Sequence, residues 1–335
     1  VEVNRAQPLA LQRVHDVYRP ALPPDREPVP LTDPVGRIGG PKITFDPDAL
    51  VGVVETDRRD ATYDFRDPTD ADVALAANLG EFLAAEAAEN PTMDESVRIQ
   101  FGVGGLGNAL AGELSDLELG DRELVYYGEV IQDGLLDLLD AGVLAGASAT
   151  SLALSGDGQD RFVADLERYA ADVVLRPSDV SNGAELIERF GVVAVNSALE
   201  VDLYGHVNST HVDGTRVING LGGSGDFNRN ALVTVAVLPS TARDGAISRI
   251  VPMVPHVDHT EHDVDVVVTE QGVADLRGRS PLERADAIRS VAHPEYRPEL
   301  AAYLDRGADF GGHIHQDLAT ALAWPTARQQ DREPE

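Results

Sequence analysis

The chain of 335 residues contains no cysteine, one tryptophan and two methionines. Without cysteine there are no disulfides, no thiolate metal ligands and no cysteine nucleophile, which suits a reducing cytoplasm. No apolar run approaches the length of a membrane span, and residues 1–10 show no signal-peptide pattern. A cytoplasmic protein with no membrane partner is therefore expected. Lysine is almost absent: of 27 basic residues only Lys42 is not arginine, against 57 acids, giving a formal net charge of −30. Such a surface repels nucleic acid, so none is expected as a partner. The acid excess runs along the whole chain rather than sitting in a tail, a pattern that suits a salt-loving cell whose cytoplasm screens the repulsion. Hydrophobic residues make up 43% of the chain, enough for a globular core and for more than one domain.

What is present falls into two parts. Residues 1 to 60 are proline-rich and poorly periodic, and "RPALPPDREPVPLTDPVG" reads as an extended connector. From about residue 70 the pattern becomes regular. "DADVALAANLGEFLAAEAA" predicts an amphipathic helix starting at Thr69 or Asp70. "SVRIQFGVGG" predicts a strand running into a glycine loop, with a helix over "LGNALAGEL". "ELVYYGEV" and "IQDGLLDLLDAG" repeat that unit, and "ATSLALSG" reads as a further strand. "ELIERFGVVAVNSALEVDLYG" gives a helix, a strand and a continuation; "ALVTVAVLP" and "VDVVVTEQG" read as buried strands. "PLERADAIRSVA" is a helix with Pro281 in its first turn. This alternation predicts an α/β fold with an open, mainly parallel sheet.

Ligands of such sheets bind beyond the carboxyl ends of the strands. Two acids fall there: Glu129, directly after "ELVYYG", and Glu270, directly after "VDVVVT". Glu129 suits a nucleophile, a general base or the first-turn acid of the following helix, and on this stretch alone the helix-dipole reading is favoured. Two glycine-rich stretches, "GVGGLGNA" (102–109) and "NGLGGSGDFNRNA" (219–231), could turn backbone N–H groups toward a phosphate or an oxyanion. Each taken singly reads as a tight turn; neither is a dinucleotide fingerprint or a P-loop. No Gly-x-Ser-x-Gly elbow occurs, which argues against a serine hydrolase. His256, His259 and His262 in "PHVDHTEHDVD" have ligand chemistry, but every-third spacing suits neither a helix face nor a strand face. A polar loop bonded by its own side chains is expected there, with no metal.

In this order, "GVGGLGNALAGEL", "YYGEVIQDGLLDLL", "VNSALEVDLYGHVNST", "GLGGSGDF", "IVPMVPHVDHTEHDVDVVVTEQGVADLRG" and "AHPEYR" resemble the acetyl-CoA hydrolase/transferase family of class I CoA-transferases. That family includes succinyl-CoA:acetate and 4-hydroxybutyrate CoA-transferases. The resemblance covers nearly the whole chain and is strongest from about residue 98 to 300. It implies a pair of open α/β domains with the active site between them. It further implies that Glu129 becomes covalently attached to CoA, with Leu106 and Gly223 giving oxyanion-hole amides and Asn182 and Glu270 as auxiliary site residues. Gly104, Gly222 and Gly223, with Arg229 and Arg243, would contact CoA; Arg243 stands where relatives usually have lysine, a guanidinium fork in place of a flexible ammonium. The substrates implied are acyl-CoA and small carboxylic acids, exchanged by a ping-pong route, with hydrolysis of acyl-CoA as the alternative outcome. The family is considerably longer at its N-terminus. Residues 1–62 are therefore expected to be a remnant of its first domain and linker, 63–330 the C-terminal CoA-transferase domain, and 331–335 a polar tail. A homodimer is expected, or a half-protein that needs a separate N-terminal-domain chain for activity.

Overall fold

The computed structural model describes residues 1–102 and 104–330; the expected polar tail, 331–335, lies outside the described residues. Eight strands form the main sheet: β1 (Ser96–Phe101), β2 (Glu123–Tyr127), β3 (Leu144–Ala149), β4 (Val173–Leu175), β5 (Val193–Ser197), β6 (Val233–Val237), β7 (Val266–Thr269) and β8 (Gly272–Asp275). Their spatial order is β8-β7-β6-β5-β1-β2-β3-β4. Every neighbouring pair is parallel except β7 and β8, as the alternating sequence predicts. β6 and β7, "VTVAV" and "VVVT", are buried at every position, because a parallel sheet is covered on both faces. The chain winds outward from β1 to β4, then returns to the other side of β1 and winds outward again through β5, β6 and β7. The reversal lies between β1 and β5.

Local signals explain the best-defined helix. Residues Asp70–Glu89 begin at Thr69, whose hydroxyl accepts from the Asp72 amide while the Asp72 carboxylate accepts from the Thr69 amide. Leu75, Leu79 and Leu83 recur every fourth residue, and all are buried in the largest apolar cluster. That cluster also takes Leu110 and Leu114 from helix Gly105–Ser115, and Leu135 and Leu139 from helix Asp133–Asp140. Pro281 opens the helix Pro281–Ser290, as its position implies. Among the described residues no helix is long and apolar enough to cross a membrane.

Two expectations change. The strand read at 149–156 lies earlier, at Leu144–Ala149, and Ser151–Leu152 pairs instead with Val130–Ile131. "LAGASA" has no β-branched residue, so propensity does not reveal it. Small residues are needed there: a β-carbon at Gly146 would lie 2.8 Å from Val35 Cγ1. Val35 belongs to the second change. The proline-rich segment, read as an extended connector, is irregular and is anchored against the sheet. Val14 and Leu31 are fully buried, and His15 bridges to Leu175 at the end of β4. Asp16 accepts from the amides of Ile38 and Gly39 and from the Arg176 guanidinium. Arg176 also donates to Ser148 Oγ at 2.7 Å, to Pro34 O at 3.0 Å and to Gly36 O. The ion pair has 0% and 1% side-chain exposure, so every donor has to be satisfied by protein.

Asp16→Ala leaves that guanidinium buried without its counter-charge, and a loss of about 3–5 kcal/mol is expected in denaturant unfolding. The Arg5–Glu55 pair, 65% and 61% exposed, is the control. Arg5→Ala there should cost no more than about 1 kcal/mol.

Candidate active site

The sheet reversal leaves a crevice beyond β1, β2 and β5, and Glu129 sits in it. β2 ends at Tyr127, and Gly128 turns the chain over the preceding tyrosine: a β-carbon there would lie 2.5 Å from Tyr126 Oη. That buried hydroxyl is 3.1 Å from Phe101 O and 3.0 Å from Val130 O, tying the ends of both strands to the Glu129 segment. Burial pushes its pKa far above the ordinary phenol value, so it stays a donor. The carbonyl of Glu129 accepts from the amides of Thr150 at 2.9 Å and Ser151 at 3.1 Å. Helix Asp133–Asp140 starts four residues later, with Asp133 as its first-turn acid. The helix-dipole reading of Glu129 therefore fails: the residue lies in the strand-to-helix connection, half-buried.

The Glu129 carboxylate meets two of its expected partners directly. Asn182 Nδ2 donates to Oε1 at 3.1 Å and to Asp226 Oδ2 at 3.2 Å. Gly223 is buried against the same atoms: a β-carbon on it would lie 2.1 Å from Glu129 Oε1 and 2.2 Å from Asn182 Nδ2. Only glycine fits. A cavity of about 340 Å³ opens over this group, lined by Glu129, Gly102, Asn196, Ser209, Asn219 and Ser224 among others.

Both glycine loops are fixed to this point by buried amides. Gln132, 1% exposed, accepts from the Gly104 amide at 3.0 Å, and Gly104 holds φ at +124°, where glycine is favoured. Leu106 lies in the first turn of helix Gly105–Ser115, where backbone amides lack intrahelical acceptors. The second loop, with Gly222 at φ +59°, runs into helix Ser224–Asn230. Asn228 on that helix accepts from Asn196 Nδ2 at 2.7 Å, and Asn196 exchanges two 3.2 Å amide bonds with Gln100. β1, β5 and the helix are thus joined beneath the cavity.

The remaining expected residues stand apart. Glu270 follows β7 and accepts from Ser240 N at 2.7 Å, Ser240 Oγ and Gln271 Nε2. Burial raises its pKa, but these donors outweigh burial and hold it below the usual carboxylate range. Arg243, at φ +52°, lines a second cavity of about 430 Å³ with Arg216, Arg249 and Arg328. Arg229 is 67% exposed, with Nε 4.0 Å from Asp263 Oδ2. The three histidines diverge. His256 stacks on His211 and faces Asp258, buried His259 lies 3.3 Å from Ser224 Oγ, and His262 is exposed. Among the described residues no group of His, Asp or Glu is placed to hold a metal ion. Sequence reasoning missed Asp226, Ser181, Thr150 and Gln132 around Glu129, and the arginines that accompany Arg243.

Gly223→Ala is expected to displace the Glu129 carboxylate and break its bond to Asn182, visible in a crystal structure of the variant. Gly225→Ala, whose β-carbon would meet only Leu221 Cδ2 at 3.4 Å, should leave the pair intact. Glu270 has a lowered folded-state pKa, so it stabilises the fold above its unfolded-state value and ceases to as pH falls through the folded-state value. Glu270→Gln should therefore melt below the wild type at neutral pH. The gap should narrow as the pH drops below about 4.3.

Residues 158–304 match the family model of the acetyl-CoA hydrolase/transferase C-terminal domain. The chain is 43% identical, over 97% of its length, to succinyl-CoA:acetate CoA-transferase of Clostridium kluyveri, and 41% identical, over 95%, to propanoyl-CoA:succinate CoA transferase of Escherichia coli. It is 41% identical, over 92%, to acetyl-CoA hydrolase of Saccharomyces cerevisiae. These alignments cover 61%, 64% and 59% of the relatives, so the chain spans about three fifths of their length. Among solved structures, RipA from Yersinia pestis superposes with a TM-score of 0.64 at 25% identity, over 78% of this chain and 57% of that one. 4-Hydroxybutyrate CoA-transferase from Porphyromonas gingivalis gives 0.59 at 24%, over 77% and 61%, a likeness of fold. Residues 158–304 thus match the acetyl-CoA hydrolase/transferase C-terminal domain, within a chain similar over nearly all its length to CoA-transferases and acetyl-CoA hydrolases.

Proposed function

We propose that the chain carries the catalytic glutamate of a CoA-transferase that moves CoA between short-chain carboxylic acids through a glutamyl-CoA thioester on Glu129. One observation carries the reading: a half-buried carboxylate at the sheet reversal, held by the Asn182 amide, backed by buried Gly223 and opening to a cavity. A thioester is already activated, so a carboxylate attacks it without a strong base. In this reading Asn182 engages Oε1 and the other oxygen of Glu129 attacks the acyl carbonyl. The C–S bond breaks, leaving a mixed anhydride and CoA thiolate. The thiolate attacks the glutamyl carbonyl, forming glutamyl-CoA and releasing the first acid as its carboxylate. A second carboxylate repeats these steps in reverse and leaves as its CoA ester. The amides of Leu106 and Gly223 are the assigned oxyanion donors, each worth ~3 kcal/mol in such sites. Gly104, Gly222 and Gly223, with Arg229 and Arg243, are the CoA contacts the reading requires. The cavity at Arg243 also holds Arg216 and Arg249, whose forked donors suit phosphate, beside Glu200 and Asp213, which Arg328 engages.

A second reading is acyl-CoA hydrolysis, in which water takes the place of the second carboxylate. The relatives named acetyl-CoA hydrolase favour it. A homodimer, or a separate chain supplying a first domain, belongs to either reading.

The test is mass analysis of the Glu129 peptide after the protein, in high salt, is mixed with acetyl-CoA or succinyl-CoA and quenched with borohydride. A reduced glutamyl residue is expected, absent in Glu129→Gln, together with a fall in turnover of roughly 10³-fold or more. An unmodified Glu129 peptide with CoA still bound would sink catalysis by this chain alone. Added carboxylate that becomes a CoA ester faster than free acid appears marks the transferase; the reverse marks the hydrolase.

A further inference from the structure

We propose that Thr150 and Ser181 are positioning residues that aim the Asn182 amide at Glu129 through a hydrogen-bond chain of fixed direction; the proposal rests on the reading of Glu129 as the reacting carboxylate. Asn182 Nδ2 lies between two carboxylates, 3.1 Å from Glu129 Oε1 and 3.2 Å from Asp226 Oδ2. Ionised carboxylates only accept, so the nitrogen end of the amide belongs there. The oxygen end then faces Ser181 Oγ at 3.0 Å, and Ser181 must donate. Ser181 has one hydroxyl proton. Its other contact, with Thr150 Oγ1 at 2.5 Å, is therefore accepted from Thr150. Thr150 also donates its backbone amide to the Glu129 carbonyl at 2.9 Å. The bonds close a ring that begins on the Glu129 carbonyl and ends on the Glu129 carboxylate. One residue thus sets both ends of the glutamate, the main chain directly and the side chain through Ser181 and Asn182.

Ser181 is fully buried and Thr150 is exposed, so the two can be tested with different risks to folding. Without the Ser181 hydroxyl no described group holds the amide oxygen, and only the two carboxylate contacts resist its turning from Glu129. Ser181→Ala and Thr150→Val should each lower kcat by about tenfold with little change in KM. Thr150→Ser should restore it. In an Asn182→Ala background neither substitution should have a further effect, because the chain acts only through that amide.

A readout independent of turnover is the side-chain amide signal of Asn182 in protein labelled with ¹⁵N-asparagine, assigned by its loss in Asn182→Ala. Slow proton exchange is expected in the wild type and in Thr150→Ser, and fast exchange in Thr150→Val and Ser181→Ala. Unchanged exchange in both of the latter would overturn the proposal, as would additive effects in the Asn182→Ala background. Fast exchange in them, with no CoA ester found on wild-type Glu129, would uphold the positioning chain while the functional reading fails.

Discussion

A parallel sheet wound in both directions from one strand has a single place where successive connections leave for opposite faces. At that place no crossover covers the strand ends. Here it lies between β1 and β5, and the other features of the site follow from it. The Gln100–Asn196–Asn228 amides tie β1, β5 and helix Ser224–Asn230 together at this place, while Tyr126 and Gln132 tie the end of β1 and the first glycine loop to the Glu129 segment. Buried amides suit the task. Each presents donors and an acceptor without a net charge; Asn196 is paired at both ends, so it bridges the seam at little desolvation cost, whereas buried Gln132 Nε2 has no partner among the described residues.

The Asp16–Arg176 pair acts from the far edge of the sheet, just beyond β4. Buried ion pairs contribute little net stability, since desolvation offsets most of the attraction, but they admit few alternative arrangements. Arg176 directly follows β4 and is itself followed by Pro177 and the short helix that delivers Ser181 and Asn182. The contact that seats residues 14–40 therefore also fixes the start of the segment carrying the Glu129 partner. The N-terminal stretch and the site share one anchor.

Much of this was legible because local chemistry and fold agree. Thr69 with Asp72, Pro281 and the all-apolar runs of β6 and β7 mark their elements without help. β3 was misread because its small residues answer to Val35, far away in sequence. Glu129 was visible as an acid at a junction. Its separation from the helix was not, because Val130–Ile131 pairs with Ser151–Leu152 before the helix begins. Asp226 was invisible as a site residue: it reaches Asn182 across 44 positions, and no spacing rule spans that distance. The family resemblance brought Asn182 and Gly223 to Glu129, where the structure also puts them. Residue patterns alone would have left each as a turn.

Asn182 has two amide protons, and two carboxylates share them. Glu129 and Asp226 are thus linked through one neutral group. The amide touches both side chains, so a turn of its plane alters both contacts together. Asp226 lies in the first turn of the helix that Gly223 precedes. The second glycine loop is therefore tied to the glutamate beside it: a shift at one end of the amide is passed to the other.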